Sequence, residues 1–147
     1  MTPIALTIAG SDPSGGAGVQ ADLKTFAALG VYGASVLTAL TAQNAQGVSA
    51  IHDVPPAFIT AQIDAVFADL NIRAVKIGML GTAETVEAVV EALSYVGEAP
   101  VVIDPVMVAE SGAVLLDEGA RRALVEKLLP LAAVVTPNIP EARALTG

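Results

Sequence analysis

Along the chain, short unbroken apolar runs alternate with longer stretches in which apolar residues recur every three or four positions. The first run, "IALTIA" over residues 4–9, predicts a central strand buried on both faces. Val19, Leu23, Phe26, Ala27 and Leu29 then fall at helical spacing, and Gly30 stands where a left-handed cap would end the helix. "ASVLTALTA" (34–42) is apolar and β-branched, which predicts a second strand. The mixed, polar stretch 43–56 predicts a loop or a small hairpin flap outside the core. Pro56 suits the first position of a helix whose inward face is Ile59, Ile63, Val66, Phe67 and Leu70.

The second half of the chain repeats the pattern. "AVKIGML" (74–80) predicts a third strand, and residues 83–96 a helix with Val86, Val89, Val90 and Leu93 on one stripe. Glu84, Glu87 and Glu91 lie away from that stripe. "PVVIDPVM" (100–107) predicts a fourth strand. Asp117 can cap a helix whose Ala120, Leu124, Val125 and Leu128 face inward and which Pro130 stops. "AAVVTPN" (132–138) predicts a fifth strand, and Pro140 opens one more helix, which runs to Gly147. This alternation predicts a single α/β domain over 1–147, with a mainly parallel sheet, right-handed crossovers and helices on both faces.

Composition narrows the picture. Apolar residues make up 54% of the chain and aromatics only 3%, so the core is built from Ala, Val, Leu and Ile in tight layers. Seven basic residues face fifteen acidic ones, a net charge of −8 without a basic stripe, which argues against nucleic acid as a partner. The chain has no cysteine, hence neither disulfides nor thiolate chemistry. The N-terminal apolar run is short and has no positive charge before it. No other apolar stretch approaches a bilayer span, so no membrane is expected and the location expected is cytoplasmic.

Candidate chemistry starts at "AGSDPSGGAGVQADLK" (9–24), where Gly10, Gly15, Gly16 and Gly18 separate the first strand from the first helix. A P-loop requires Lys and Ser/Thr after its second glycine, and Gly16 and Ala17 stand there instead. The dinucleotide pattern is matched by Gly16-Ala17-Gly18-Val19-Gln20-Ala21. The acidic residue that would hold a ribose at the end of the second strand is missing, since Thr41, Ala42, Gln43 and Asn44 stand there. The remaining readings are a plain strand-to-helix turn and a loop that grips some other ligand. Ser11, Asp12, Ser14, Gln20 and Asp22 favour the second, because they gather polar groups at a strand's carboxyl end, where open α/β sheets bind ligands.

Further polar residues share that edge. Gln43 and Asn44 follow the second strand, Gly78 and Met79 the third, Asp104 the fourth, and Asn138 and Glu141 the fifth. Taken singly, Met79 is an ordinary core residue, Asp104 a turn residue before Pro105, and Asn138 a helix cap. Their common address argues for one cleft. His52, the single histidine, lies in the expected flap and reads as a solvated or packing residue.

Five ordered motifs, "IAGSDPSGGAGVQADLKTFAALGVYG", "TALTAQNAQGV", "KIGML", "DPVM" and "TPNIPEA", resemble the hydroxymethylpyrimidine/phosphomethylpyrimidine kinases of thiamine biosynthesis. These belong to the ribokinase-like superfamily, as do the related pyridoxal-type kinases. The resemblance implies a three-layer, ribokinase-like Rossmannoid fold, here incomplete at its C-terminal end. It also implies ATP- and Mg²⁺-dependent phosphorylation of 4-amino-5-hydroxymethyl-2-methylpyrimidine and then of its monophosphate. Carried over by position, Gln43 recognises the pyrimidine, Asp22 holds the hydroxymethyl end, Gly10 makes a backbone contact, and Met79 and Val106 wall the ring. Asp104 and Glu141 resemble metal-region residues, and Asn138 with Glu141 the nucleotide and phosphate region. In this superfamily the second half supplies the anion hole and the residue acting near the substrate hydroxyl. No second glycine-rich loop follows residue 119, so the catalytic residues are expected beyond Gly147 and none within this chain. By itself it should have little kinase activity. Two alternatives stay open: a pyridoxal-type kinase and a non-catalytic pyrimidine-binding module. An exposed sheet edge after the fifth strand would favour a homodimer.

Overall fold

A computed structural model describes residues 1–109 and 111–147. Its centre is a five-stranded parallel sheet of order β2-β1-β5-β6-β7, formed by β1 (Ile4–Ala9), β2 (Tyr32–Leu37), β5 (Ile72–Ile77), β6 (Val101–Ile103) and β7 (Val134–Val135). The remaining two strands, β3 (Ala39–Asn44) and β4 (Gly47–Asp53), pair antiparallel as a separate hairpin. The helices are α1 (Gly18–Ala28), α2 (Pro56–Asp69), α3 (Ala83–Ala92), α4 (Glu118–Ala123) and α5 (Ile139–Thr146).

The strand order fixes where the helices go. The chain steps one way from β1 to β2, then back across β1 to β5, and right-handed crossovers put α1 and α2 on opposite faces. Strand alternation agrees with this. Leu6 and Ile8 of β1 join the main core with Ile59 and Ile63 of α2 and Val86 and Val89 of α3, whereas Thr7 points to α1. Val75, Ile77 and Ile103 extend the same core, and Leu124 and Leu128 close it. Every one of these side chains is 4% exposed or less, so the aliphatic core expected from the composition forms on the α2–α4 side.

The punctuation expected from the sequence mostly holds. Gly30 has φ +73°, Pro56 opens α2, and the Asp117 carboxylate accepts from the Ala120 amide at 2.7 Å to cap α4. Other elements are shorter than expected. The sheet-paired parts of the fourth and fifth strands are only Val101–Ile103 and Val134–Val135, and α3 ends in a 3₁₀ turn, Leu93–Tyr95.

Four expectations are corrected. Residues 34–42 are not one strand: the chain leaves the sheet at Thr38, and its second part is the first arm of the hairpin. Both arms are apolar and β-branched, so the break has no polar signature. It is made by tertiary hydrogen bonds, the Thr38 amide donating to Ala9 O (2.9 Å) and its hydroxyl to Met79 O (2.6 Å). Val125 does not face inward. α4 continues as a π turn over Leu124–Leu128, which keeps Leu124 and Leu128 buried and leaves Val125 38% exposed. Pro130 sits in the following 3₁₀ turn rather than stopping the helix outright. Finally, the inward stripe of α1 is thin, with only Val19 buried and Leu29 exposed beyond the helix end.

Thr38→Val preserves shape but leaves Met79 O without its buried donor, so it should destabilise the protein by about 1–3 kcal/mol. Thermal denaturation checks this, and an unchanged melting point would contradict the anchoring role of that hydroxyl.

Candidate functional site

The turn between β1 and α1 is wrapped around one carboxylate. Asp12 is buried, and its Oδ1 accepts from the Ser14 amide (2.9 Å) and hydroxyl (2.7 Å). Its Oδ2 accepts from the amides of Gly16 (3.1 Å) and Ala17 (2.8 Å). Burial by itself would push this carboxyl up; the Ser14 hydroxyl and the amides of Ser14, Ala17 and Gly16 outweigh it and hold Asp12 below the ordinary aspartate range. The loop amides a phosphate would need are therefore spent on the protein's own anion. The Asp12 amide donates to Gln20 Oε1 (2.8 Å), and the Val19 amide to Gly10 O (3.0 Å), which ties the first turn of α1 to the end of β1. Gly18, at φ +59°, leaves no room for a side chain: a Cβ there would overlap Gly10 O.

So held, α1 presents Asp22 to the sheet. Thr7 and Lys76 are register partners on the parallel pair β1–β5, and both reach this carboxylate. Thr7 Oγ1 donates to Oδ2 at 2.6 Å, while Lys76 Nζ lies 3.0 Å from Oδ1 and 2.9 Å from Oδ2. Across the cleft, the hairpin is stitched to the glycine turn. The Ser11 amide donates to Ala39 O (2.9 Å), the Thr41 amide to Ser11 Oγ (3.3 Å) and the Thr41 hydroxyl to Ser11 O (2.8 Å). The β3–β4 register slips between Ala42 and Gln43, and such a bulge re-aims side chains. Gln43 here lines the cleft.

These parts enclose a cavity of about 780 Å³ at the carboxyl ends of the sheet strands. Gly10, Asp22, Gln43, Met79, Val106 and Asp104 all line it. Asn138 and Glu141 do not line it; they form a capping box at the start of α5. The Glu141 amide donates to Asn138 Oδ1 (2.8 Å) and the Asn138 amide to Glu141 Oε2 (3.0 Å). Gly147 is not among the lining residues either. It is the C-cap of α5, at φ +91°, with its amide donating to Arg143 O (3.0 Å), a conformation that suits glycine and serves the helix end. His52 lies on the exposed arm of the hairpin.

Sequence reasoning left five contributors without a role. Lys76 is the one charge within the apolar run "AVKIGML", a signal visible in the sequence. Thr7 carries no such signal, because a threonine in a strand is ordinary. Val108, Ser111 and Leu115 line the cleft from the connection between β6 and α4. The described residues there form only an isolated bridge, Val108 with Val114, which leaves no periodicity to read.

The charge balance of the cleft is negative. Asp12, Asp22 and Asp104 line it, and among the described residues Lys76 is the only Lys, Arg or His that does. Burial pushes the Asp104 carboxyl above the usual aspartate range. Lys76 draws it down, and the charges of Glu141 and Asp22 push it up. Burial is the largest of these effects, so the charged form of Asp104 is disfavoured mainly by loss of water. Among the described residues no three His, Cys, Asp or Glu side chains cluster as a metal site. No helix there is long and apolar enough to cross a membrane.

A family model described as phosphomethylpyrimidine kinase matches residues 12–147. A hydroxymethylpyrimidine/phosphomethylpyrimidine kinase of Rhizobium meliloti is 61% identical over 147 residues, which is all of this chain and 55% of the relative. One from Escherichia coli is 55% identical over 96% of this chain and 53% of its own length. The chain thus spans about half the length of these curated relatives. Among solved structures, a phosphomethylpyrimidine kinase of Clostridium difficile superposes with TM-score 0.92 at 53% identity, covering 99% of this chain and 63% of that one. A pyridoxal kinase of Staphylococcus aureus, in complex with AMP-PCP and pyridoxal, gives 0.87 at 38% identity, covering 100% and 52%. The α/β architecture shared with these kinases is ribokinase-like.

Asp12→Asn puts an amide donor among loop donors and should cost about 1–3 kcal/mol of stability. The aspartate has its lower pKa in the folded state, so its contribution is complete above the unfolded value of about 3.9 and fades as pH falls through the folded one. In denaturant melts the deficit of the variant should be constant near neutrality and shrink in acid; a deficit that grows in acid would contradict the assignment.

Proposed function

Because the chain belongs to the phosphomethylpyrimidine kinase family, we propose that it forms the substrate-side part of an ATP-dependent kinase acting on 4-amino-5-hydroxymethyl-2-methylpyrimidine and its monophosphate. The observation that carries this reading is the meeting of Gln43 and Asp22 in one cleft, together with the apolar Met79 and Val106. A carboxamide offers a donor and an acceptor side by side, which complement a ring nitrogen and an exocyclic amine. In this reading Gln43 reads the ring edge, Met79 and Val106 pack on its faces, and Asp22 accepts the hydrogen of the hydroxymethyl group. Gly10 makes room for the Met79 methyl, which a side chain there would overlap, and in this reading its backbone contacts the ligand.

In this reading Mg²⁺ belongs to the region of Asp104 and Glu141: Mg²⁺ uses one or two carboxylates besides phosphate and water, Asp104 lines the cleft, and the charge of Glu141 acts on it. When bound, the ion would offset phosphate charge during transfer. Asn138 and Glu141 keep their assignment to the nucleotide and phosphate region on family resemblance; their side chains hold the start of α5. Phosphoryl transfer belongs to the whole kinase, and this chain spans about half the length of the curated relatives. For these 147 residues by themselves we propose ligand binding with little or no turnover. The cytoplasmic location follows from ATP as the donor.

Identities of 53–61% to pyrimidine kinases, against 38% to the pyridoxal kinase, support the pyrimidine over the pyridoxal reading. Self-association is a further part of the reading. The outer strands β2 and β7 carry no further partner among the described residues, and Tyr32 and Val134 on them are more than half exposed. Light scattering should find a dimer, and a monomer at every concentration would exclude it.

Calorimetric titration of the chain should show the aminopyrimidine alcohol binding more tightly than pyridoxal. Gln43→Ala should weaken the alcohol about tenfold or more, a loss of roughly 1.4 kcal/mol or above, without moving the melting point. Unchanged affinity in that variant, or preference for pyridoxal, would overturn the assignment.

A further inference from the structure

The cleft raises a problem of charge that its shape does not solve. The neutral alcohol and its monophosphate differ by about −1.5 to −2 charges at neutral pH, all at the end of the molecule that the reading above places beside Asp22. Asp104 and Asp12 line the same cavity as Asp22, so three carboxylates already face it. A site made only of these groups would reject the phosphorylated compound.

Lys76 is the group that can alter this. Among the described residues it is the single cation lining the cleft. Its stem rises from β5 on the α1 side of the sheet, and its side chain is 24% exposed. The ammonium has three N–H donors, and both of its hydrogen-bond acceptors in the structure are oxygens of Asp22. One N–H is therefore left for an incoming acceptor. Gly78 keeps space beside the head group: a Cβ there would stand 3.2 Å from Nζ and 2.9 Å from the Ala9 methyl. Asp22 does not depend on Lys76 alone, because Thr7 Oγ1 holds its Oδ2 at 2.6 Å. Lys76 can turn part of its bonding outward while the carboxylate stays in place.

We infer that Lys76 is the specificity-determining cation that lets this cleft accept the phosphorylated pyrimidine as well as the neutral alcohol. With the alcohol bound, Lys76 pairs with Asp22, which faces the hydroxyl. With the monophosphate bound, its free N–H and its charge go to the phosphate, and Thr7 keeps Asp22 from following. The inference rests on the reading of Asp22 as the residue at the hydroxymethyl end.

The test is calorimetric titration of the chain and of Lys76→Gln, Lys76→Arg and Thr7→Val with the alcohol and with its monophosphate. Lys76→Gln should weaken the monophosphate about tenfold or more, as loss of a charged hydrogen bond does, and the alcohol by no more than about threefold. Lys76→Arg should restore most of the monophosphate affinity, and Thr7→Val should weaken both ligands alike. Equal loss of both ligands in Lys76→Gln, or a wild-type chain that binds the alcohol and not the monophosphate, overturns the inference and leaves the pyrimidine reading intact. A wild-type chain that binds neither overturns both. If Lys76→Gln does not fold, the wild type still decides. Its monophosphate affinity should fall several-fold from about 50 to about 300 mM NaCl while that for the alcohol holds, and a salt-insensitive monophosphate affinity sinks the proposal.

Discussion

The carboxylate of Asp12 is the constraint on which the cleft rests. A glycine turn this rich in amide donors has many conformations, and an unfolded glycine segment loses more entropy on ordering than any other. Four donors converging on one buried anion select a single conformation. From it follow the position of the first turn of α1, through Gly10 O and Gln20, and then the placement of Asp22 over Thr7 and Lys76. An internal anion of this kind also explains how a glycine-rich strand-to-helix turn can serve something other than a phosphate: its donors are already engaged.

A second layer of order comes from the sheet. Register pairs Thr7 with Lys76, so two side chains from neighbouring strands act on one carboxylate from a helix. Such partly buried ion pairs contribute modestly to stability after desolvation, but they orient their members strongly. The main hydrophobic core lies on the other face, built from Leu6, Ile8, Ile59, Ile63 and their neighbours. Packing and polar chemistry are thereby separated by the sheet itself, and a change in one face need not disturb the other.

Much of this was legible in the residues. Apolar runs located the parallel strands, and proline, glycine and aspartate marked helix ends, because these signals are local. The gathering of Gln43, Asp22, Met79 and Asp104 followed from their shared address at strand ends, while Val106 came from the family resemblance. What escaped reading is non-local. The break at Thr38 depends on carbonyls of Ala9 and Met79, distant in sequence, and the outward turn of Val125 on a π turn that has no compositional mark. Asn138 shows the opposite case: the bland reading, a helix cap, describes what its side chain does in the structure, with Glu141 as its unforeseen partner in the capping box.

The hairpin and the glycine turn share three hydrogen bonds through Ser11, Ala39 and Thr41. A lid joined so closely to the floor of its own cleft is not an independent moving part. Any tilt that carries Gln43 toward or away from a ligand strains the same turn that sets the start of α1. Contact at one end of a small molecule is then felt at the other without a rearrangement of the core, so the two ends are checked as one object rather than as two separate fragments.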